Sequence, residues 1–588
     1  MGFFHIRNVR LYVAAMLCVA SLLSVTASAE EKKKELTPDQ VHAKIFAENK
    51  YPSADTCNTC HKVQYRQWSV SPHAYAQLSP VFNAMQRTVN LVTNATNGDF
   101  CIRCHSPIGM NLGEKNYISN FDRHPTAREG ITCIVCHRVN KDYGKISGRV
   151  SIIEGPLTDP VYGPKGNKEL ARVLDNTDKY RVVTDPKEAG RQIHKRVNKF
   201  FYLSTPGFCG ICHDVNLVNG FRLEEAFSEY KHSPSAADKE TCQDCHMSKQ
   251  QGTVSGYANG PAAVVGDEPT TPRKLTNHMF AGPEYSVIHP GLFPHNAQAK
   301  EMATMQEWLQ FDYKAGWGTD KFEDNIPEGY KFPKRWASID DRYDARDIIN
   351  QQQKLLKEYF DVGTGVLKAA YQLGKFEVVE NDKNGLKFKI QFKNATKGHN
   401  APTGFIGERM VFLRTTVTDS KGKVLLKSGD LDPNGDVRDS HSMYVHDGKI
   451  PHDDQLFSLQ SLFLVRMIRG GEREQVLPVN YSPDPLPFIR PSTSSTILTG
   501  RPVGARIHRK GIRPLDSRWA EYHVDADALK GTTPPYKVDI KIIAGMIPIN
   551  LVNIINVGGY DYGMTKEEVG KNVLAGHRVL AEHEETIK

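Results

Sequence analysis

Ten of the eleven cysteines fall in five copies of one pattern, C-x-x-C-H, and this repeat constrains what the first half of the chain can fold into. The five motifs start 44, 32, 76 and 33 residues apart, so the chain between them is too short to build ordinary hydrophobic cores. The motifs are Cys57-Asn-Thr-Cys60-His61, Cys101-Ile-Arg-Cys104-His105, Cys133-Ile-Val-Cys136-His137, Cys209-Gly-Ile-Cys212-His213 and Cys242-Gln-Asp-Cys245-His246.

C-x-x-C-H is the attachment signature of c-type haem, in which two thiols bond to the porphyrin and the histidine binds the iron. Zinc ribbons do not require a histidine after each pair, and a disulfide scaffold would vary the spacing. A thioredoxin-like redox site needs only one pair. We therefore expect five covalent haems c that form the interior of this region. The short spacings favour haems two and three, and haems four and five, as the closest pairs.

The N-terminal residues have the pattern of a signal peptide. Arg7 and Arg10 precede an apolar run over residues 11–25 that contains Cys18, and Ala27-Ser-Ala29 offers a cleavage site. The run is short for a transmembrane helix, although an uncleaved anchor is the alternative. We expect export to the periplasm or the outer cell surface, with no membrane span after cleavage.

The segment after the first motif resembles the multihaem cytochromes of the cytochrome c-554/c-prime family. In these proteins a helix carries a tryptophan, here Trp68, and then a Ser-x-His-Ala step, here Ser71 to Ala74. Gly130 before the third motif strengthens the likeness, which covers about residues 51–250. The chain departs from the family pattern in its fifth motif, and it lacks the C-x-x-C-K site of related nitrite reductases. The resemblance implies electron transfer, with His73 as a distal iron ligand; a surface helix position is its alternative role.

Four further histidines are candidates for distal ligands. His278 and His399 lie in H-x-F-x-G and G-H-x-x-P-T-G sequences that resemble steps in larger relatives, although the second sequence also suits a plain tight turn. His232 follows aromatic residues ten positions before Cys242, and His124 precedes Pro125 in a loop before the third motif. Weaker candidates are His194, His289 and His295, with Met110, Met247 and Met279 as thioether alternatives. No distal partner stands out for His105.

The remainder of the chain predicts a helical connector followed by strands. Apolar positions at helical spacing indicate a long helix over residues 344–373 and a shorter one over 299–313. Alternation over 386–393 and 536–542, with a hairpin over 410–427, favours an all-β, immunoglobulin-like sandwich, and a terminal helix is expected over 565–585. The fold class is thus multidomain α + β. The expected divisions are a signal peptide (1–29), a linker (30–50), a pentahaem domain (51–298), a helical connector (299–374) and a β-sandwich domain with a C-terminal helix (375–588).

Other cofactors and ligand classes have little support in the sequence. Asp430 to Asp436 resembles the front half of a calcium loop, but Pro433 lies within it and His441 replaces the twelfth-position glutamate, which favours a polar strand connection. The basic residues that give the net charge of +8 are scattered along the chain. No basic run interleaved with aromatic residues indicates nucleic-acid binding.

The sequence favours an electron carrier over two alternatives. We expect mostly bis-histidine haems that pass electrons between redox partner proteins, such as a quinol-oxidising membrane complex, other cytochromes or a terminal reductase. The first alternative is an oxidoreductase that acts on a small nitrogen or sulfur compound at a five-coordinate haem. The second is a subunit of a haem filament or other homo-oligomer formed through strand edges.

Overall fold

The computed structural model describes residues 50–142, 147–217, 222–287, 292–293, 296–405, 407, 409–466, 479–482 and 506–588. The predicted signal peptide, with Cys18, and the candidates His289 and His295 lie outside the described residues, as does the predicted linker up to residue 49.

Short helices separated by loops make up the motif-bearing region. Ser71, Ser79 and Ser233 each cap a helix that begins with proline, because the serine oxygen accepts a helix N–H and proline has none to satisfy. The helices are Ala54–Asn58, Lys62–Trp68, Pro72–Tyr75, Pro80–Val92, Ile102–His105, Pro107–Asn111, Pro125–Arg128, Cys133–His137, Lys168–Leu174, Thr177–Tyr180, Pro206–Gly210, Ala226–Lys231, Pro234–Ala237 and Cys242–His246, with a 3-10 turn at Phe201–Ser204.

Five two-stranded ribbons link these helices. They are Val161–Gly163 with Val197–Lys199, Val182–Val183 with Arg191–Gln192, Val215–Asn216 with Arg222–Glu224, Ala258–Pro261 with Pro272–Leu275, and Val264–Val265 with Glu268–Pro269. The first two are parallel and the other three antiparallel.

The predicted long helix is present as Ile339–Ala370, which begins five residues before the expected start because Ser338 caps it. The shorter predicted helix over 299–313 is instead two pieces, because Ala303 is extended and Thr304 starts a new capping box. The helices of this region are Ala297–Met302, Met305–Leu309, Asp320–Glu323 and Ile339–Ala370, with a 3-10 turn at Lys334–Trp336. They share an aromatic core that contains Trp308, Trp317 and Trp336.

Two antiparallel sheets enclose the largest apolar core. One has the order Tyr371–Asp382, Gly385–Asn394, Ser517–Asp525, and the other Val424–Ser428, Met410–Thr418, Tyr536–Gly545, Arg578–Ile587. The strands predicted over 386–393, 410–427 and 536–542 are confirmed, because their alternate apolar side chains face one shared core. Three shorter strands, Leu462–Arg466, Val479–Ser482 and Arg506–His508, form a separate sheet.

The prediction of a terminal helix over 565–585 is wrong in its second half. The helix is Lys566–Ala575, and the chain then forms the strand Arg578–Ile587. The strand forms because it adds a full ladder to Tyr536–Gly545 and buries Leu580 and Ile587 against the sheet core. The other helices of the region are Met443–His446, Ala526–Leu529 and Ile549–Ile555, with a 3-10 turn at Asn556–Gly558.

The described residues thus have mixed α + β architecture. None of their helices combines the length and apolar character needed to cross a membrane.

Candidate haem centres

Each motif forms a helical turn that brings its cysteines and histidine to one face. In the first, second and fourth motifs the histidine N–H bonds to the carbonyl of the first cysteine, four residues earlier. In the third and fifth motifs the whole sequence is helical, as Cys133–His137 and Cys242–His246. Side chains three and four positions apart lie on one face of a helix, so both thiols and the imidazole of a motif can reach one ligand.

All five motifs face one continuous cavity of about 1720 Å³. Every motif cysteine and motif histidine lines it, and so do His73, His194, His278 and His399. The lining is mainly apolar and aromatic, as a porphyrin requires. The arrangement therefore fits several haems held in one shared interior.

Hydrogen bonds fix the orientation of the motif imidazoles. The Nδ1 atoms of His61, His105 and His137 lie 2.7, 3.1 and 2.8 Å from the backbone carbonyl oxygens of Ala262, Ala76 and Tyr162. Histidines that bind metals commonly donate the other ring N–H in this way. The bonds leave Nε2 as the nitrogen available to iron.

Burial keeps most of these imidazoles in the neutral form that binds metals. It lowers the pKa of His61, His105 and His137 below the usual range. Burial, reinforced by neighbouring histidines, also lowers the pKa of His73 and His194 to about 3. The same two causes lower the pKa of His246 and His278 to about 4.

Three pairs of histidine rings face each other across the cavity at nearly the same separation. The ring centroids lie 6.4 Å apart for His61 and His194, and 6.2 Å apart for His246 and His399. For His73 and His213 the separation is 6.3 Å. An iron held by two opposed imidazole nitrogens at about 2 Å each places the ring centroids roughly 6 to 6.5 Å apart. The three separations fit that arrangement.

The third and second motifs have different surroundings. His278 is half-buried, the histidine that lowers its pKa most is His137, and its Nδ1 lies 3.0 Å from the Thr276 carbonyl. The ring of His105 instead stacks on Phe82, with centroids 3.7 Å apart. Glu224 and His213 also affect the pKa of His105, and His105 in turn lowers the pKa of His73.

Two sequence candidates do not line the cavity. His232 ends the helix Ala226–Lys231 and is exposed. His124 is half-buried, and its Nδ1 accepts the N–H of Thr126 at the start of a short helix. The loop before the third motif is thus capped by this imidazole rather than folded over a ring.

The sequence places His194 among the weaker candidates for a distal ligand, but in the structure His194 lines the cavity. It lies between the strands Arg191–Gln192 and Val197–Lys199, next to the buried Ile193. No aromatic, glycine or proline step marks it, so the sequence offers only its apolar neighbour as a signal.

Contacts between cysteines show which motifs are neighbours. Cys57 and Cys133 lie close enough to shift each other's pKa, Cys104 raises the pKa of Cys212, and Cys209 raises that of Cys242. Motifs one and three, two and four, and four and five therefore adjoin, so the expected pairing of two with three does not appear among these contacts. The fourth motif is in contact with two others and also lies near Cys136 of the third.

Gly130 has a steric role in this packing. Its φ is +64°, and a Cβ there would lie 2.3 Å from the His73 carbonyl oxygen. The same carbonyl accepts the N–H of Ile131 at 2.9 Å, and the Trp68 indole N–H donates to the Ile131 carbonyl at 2.7 Å. The segment from Trp68 to Ala74 thereby packs against the third motif.

The Asp430–Asp436 segment is a tight polar connection. One carboxylate oxygen of Asp432 accepts the N–H groups of Asn434, Gly435 and Asp436, and the other accepts the Ser442 hydroxyl. These bonds make Asp432 part of the hydrogen-bond network of the connection.

Residues 56–138 match the family model described as cytochrome c554 and c-prime. This match spans the first three motifs and the Trp68–His73 step, the segment in which the geometry unites thiols, imidazoles and cavity. The chain resembles the multihaem c-type cytochromes of this family. The match supports covalently bound haem c as its cofactor class.

The chain also has a weak likeness to one solved structure. The chain is 16% identical to a penta-heme cytochrome c552 from Thermochromatium tepidum, with a TM-score of 0.48, over 91% of this chain and 99% of that one. A likeness of this degree does not by itself establish a shared fold. No curated protein matches the chain.

Proposed function

We propose that the chain is an exported pentahaem cytochrome that transfers electrons between redox partner proteins. The observation that supports this most is the set of three histidine pairs at 6.2 to 6.4 Å, since two axial imidazoles favour electron transfer over substrate binding at iron.

The proposed axial pairs follow from ring geometry and proximity. They are His61 with His194, His137 with His278, His213 with His73, and His246 with His399. His105 would bind the second iron, and no partner histidine is assigned to it. The ten motif cysteines would hold the five haems through thioether bonds. When bound, haem iron supplies reversible one-electron chemistry. The chain contributes the ligand orientation, the apolar surroundings and the close spacing of the motifs.

Other features of the proposal derive from the sequence. The signal-type N-terminus supports export to the periplasm or outer cell surface, where a membrane quinol-oxidising complex, other cytochromes or a terminal reductase could exchange electrons with it. We retain the domain divisions 51–298, 299–374 and 375–588, with an immunoglobulin-like identity for the sandwich. The last region would contribute His399 as a ligand to the fifth centre.

Spectroscopy of the purified holoprotein tests this function. Haem quantification should give five haems per chain, and a redox titration should reduce all of them reversibly. Electron paramagnetic resonance of the oxidised protein should show mainly low-spin ferric signals. Fewer haems, or a preparation dominated by high-spin iron, would contradict the proposal.

One observation favours a second candidate at the second motif. Among the described residues, the ring of His105 stacks on Phe82 rather than on another imidazole, and His213, which affects its pKa, lies opposite His73. A five-coordinate centre there could bind a small nitrogen or sulfur compound. A single high-spin signal that changes on addition of nitrite or sulfite would favour this enzyme, and five low-spin signals would remove it.

A further inference from the structure

The imidazole of His213 has a different hydrogen-bond partner from those of the other motif histidines. Its Nδ1 lies 2.9 Å from a carboxylate oxygen of Glu224. The Nδ1 atoms of His61, His105 and His137 instead bond to neutral backbone carbonyls, at Ala262, Ala76 and Tyr162. One motif histidine therefore donates to a group that carries a full negative charge.

The local fold holds Glu224 at this position. Its strand, Arg222–Glu224, pairs with Val215–Asn216 directly after the motif, and Glu224 is opposite Val215 in the register. One carboxylate oxygen of Glu224 thereby lies 2.9 Å from Nδ1 of His213. The acceptor is thus a carboxylate fixed by backbone pairing.

A carboxylate acceptor changes what the imidazole does to an iron. It draws the Nδ1 proton toward itself and makes the ring a stronger electron donor than a carbonyl acceptor does. Stronger donation and a nearby negative charge both stabilise ferric over ferrous iron, most strongly at a site shielded from water. The midpoint potential of that centre falls as a result.

We propose that Glu224 is a positioning residue that gives the centre at Cys209–His213 the lowest midpoint potential of the chain. The proposal rests on the electron-transfer function proposed above. This centre adjoins Cys104 and Cys242 of two other motifs and lies near Cys136 of a third, so it occupies a junction. An electron that moves from the centres at motifs one and three to those at motifs two and five would pass through this low-potential centre. The transfer into it would be unfavourable in free energy.

The step itself involves no bond rearrangement in the chain. One electron arrives from a reduced neighbouring haem, which becomes oxidised, and the ligands stay in place. The proton of His213 remains shared between Nδ1 and the Glu224 carboxylate.

A spectroelectrochemical titration of the holoprotein tests the assignment. In the wild type, one haem in five should titrate below the rest. Glu224→Gln, which keeps the shape but removes the charge, should raise that midpoint toward the others and leave the remaining four nearly unchanged. Glu224→Asp, which retains the carboxylate, should keep the low midpoint in place more closely than the glutamine variant does.

Glu225→Gln is a matched control. Glu225 is the next residue and carries the same charge, but it pairs with Arg222 and Arg509 instead of an imidazole. It should leave the lowest midpoint in place. A wild type without a separate low-potential haem, an unchanged midpoint in fully loaded Glu224→Gln, or an equal shift in Glu225→Gln would each overturn the role of Glu224. Reversible reduction of all haems in the same titration would still uphold electron transfer.

Discussion

The rings of His61 and His194 face each other across the cavity, with centroids 6.4 Å apart and planes 18° from parallel. Nδ1 of His61 lies 2.7 Å from the Ala262 carbonyl, which leaves Nε2 for iron. His194 lies between two ribbons, so under the proposed pairing the first centre would depend on the fold of residues 180–200 as much as on its own motif.

Replacing His194 with alanine should convert one haem from low-spin to high-spin iron. The thioethers and His61 would still hold the haem, so the haem content should not change. The measurement is electron paramagnetic resonance of the oxidised protein, together with carbon monoxide binding to the reduced protein, which should rise by about one equivalent.

His232→Ala is the control for this variant, since His232 is exposed and does not line the cavity. It should leave spin state and carbon monoxide binding as in the wild type. A His194→Ala protein that stays fully low-spin would show that another residue binds the first iron.

The loop that carries His399 should depend on Glu229. The Glu229 carboxylate accepts the N–H and side-chain amide of Asn400 at 3.2 and 2.8 Å, and the hydroxyl of Thr403 at 2.6 Å. Glu229→Ala removes all three bonds, so His399 should bind iron less firmly, and a high-spin fraction should appear at the fifth centre. Asp238→Ala, which breaks only an exposed ion pair with Lys397 nearby, should show no such fraction.

The features that could be predicted from the sequence are those encoded by the spacing of nearby residues. Cys133 to His137 face one cavity because a helical turn puts positions three and four apart on one side, and this follows from the motif alone. The strand Gly385–Asn394 was equally accessible, because Phe388 and its alternate neighbours show the two-residue period.

Long-range packing explains what the sequence could not place. His194 lines the cavity because two ribbons carry it there, and no local pattern encodes their position. The sequence of residues 578–587 alone suggests the end of a helix. It forms a strand because it pairs with Tyr536–Gly545. Contact between Cys104 and Cys212 likewise joins motifs that are not consecutive.

Glu129 should stabilise the packing of the first motif against the third. This buried carboxylate accepts the Ala54 N–H and the Thr132 hydroxyl, both at 2.9 Å, and also the Ser53 hydroxyl. Glu129→Ala leaves these donors unsatisfied, which costs about 3 kcal/mol, and the melting temperature of the holoprotein should fall by several degrees. Asp361→Ala, which removes an exposed partner of Lys357, should leave the melting temperature unchanged. Equal melting temperatures for wild type and Glu129→Ala would contradict this role.

Asp436 should make the stability of the β region depend on pH. Burial raises the pKa of Asp436 to about 7, with Asp432 adding to the rise and the Asn550 N–H and His441 opposing it. Because the folded pKa lies above the ordinary value of 3.8, the unfolded chain loses this proton first. Stability from this group is therefore complete below pH 4 and is lost as pH rises to about 7, by at most about 4 kcal/mol.

The variant Asp436→Asn should remove this dependence. Its carbonyl can still accept the Asn550 N–H, but it has no proton to lose, so the variant should match the wild type near pH 4 and exceed it in stability at pH 8. Denaturant unfolding of the holoprotein at a series of pH values measures the difference. Asp447→Asn, at an exposed residue paired with Lys449, should reproduce the wild-type profile. Parallel profiles for Asp436→Asn and the wild type would show that Asp436 is already ionised in the folded protein near pH 4.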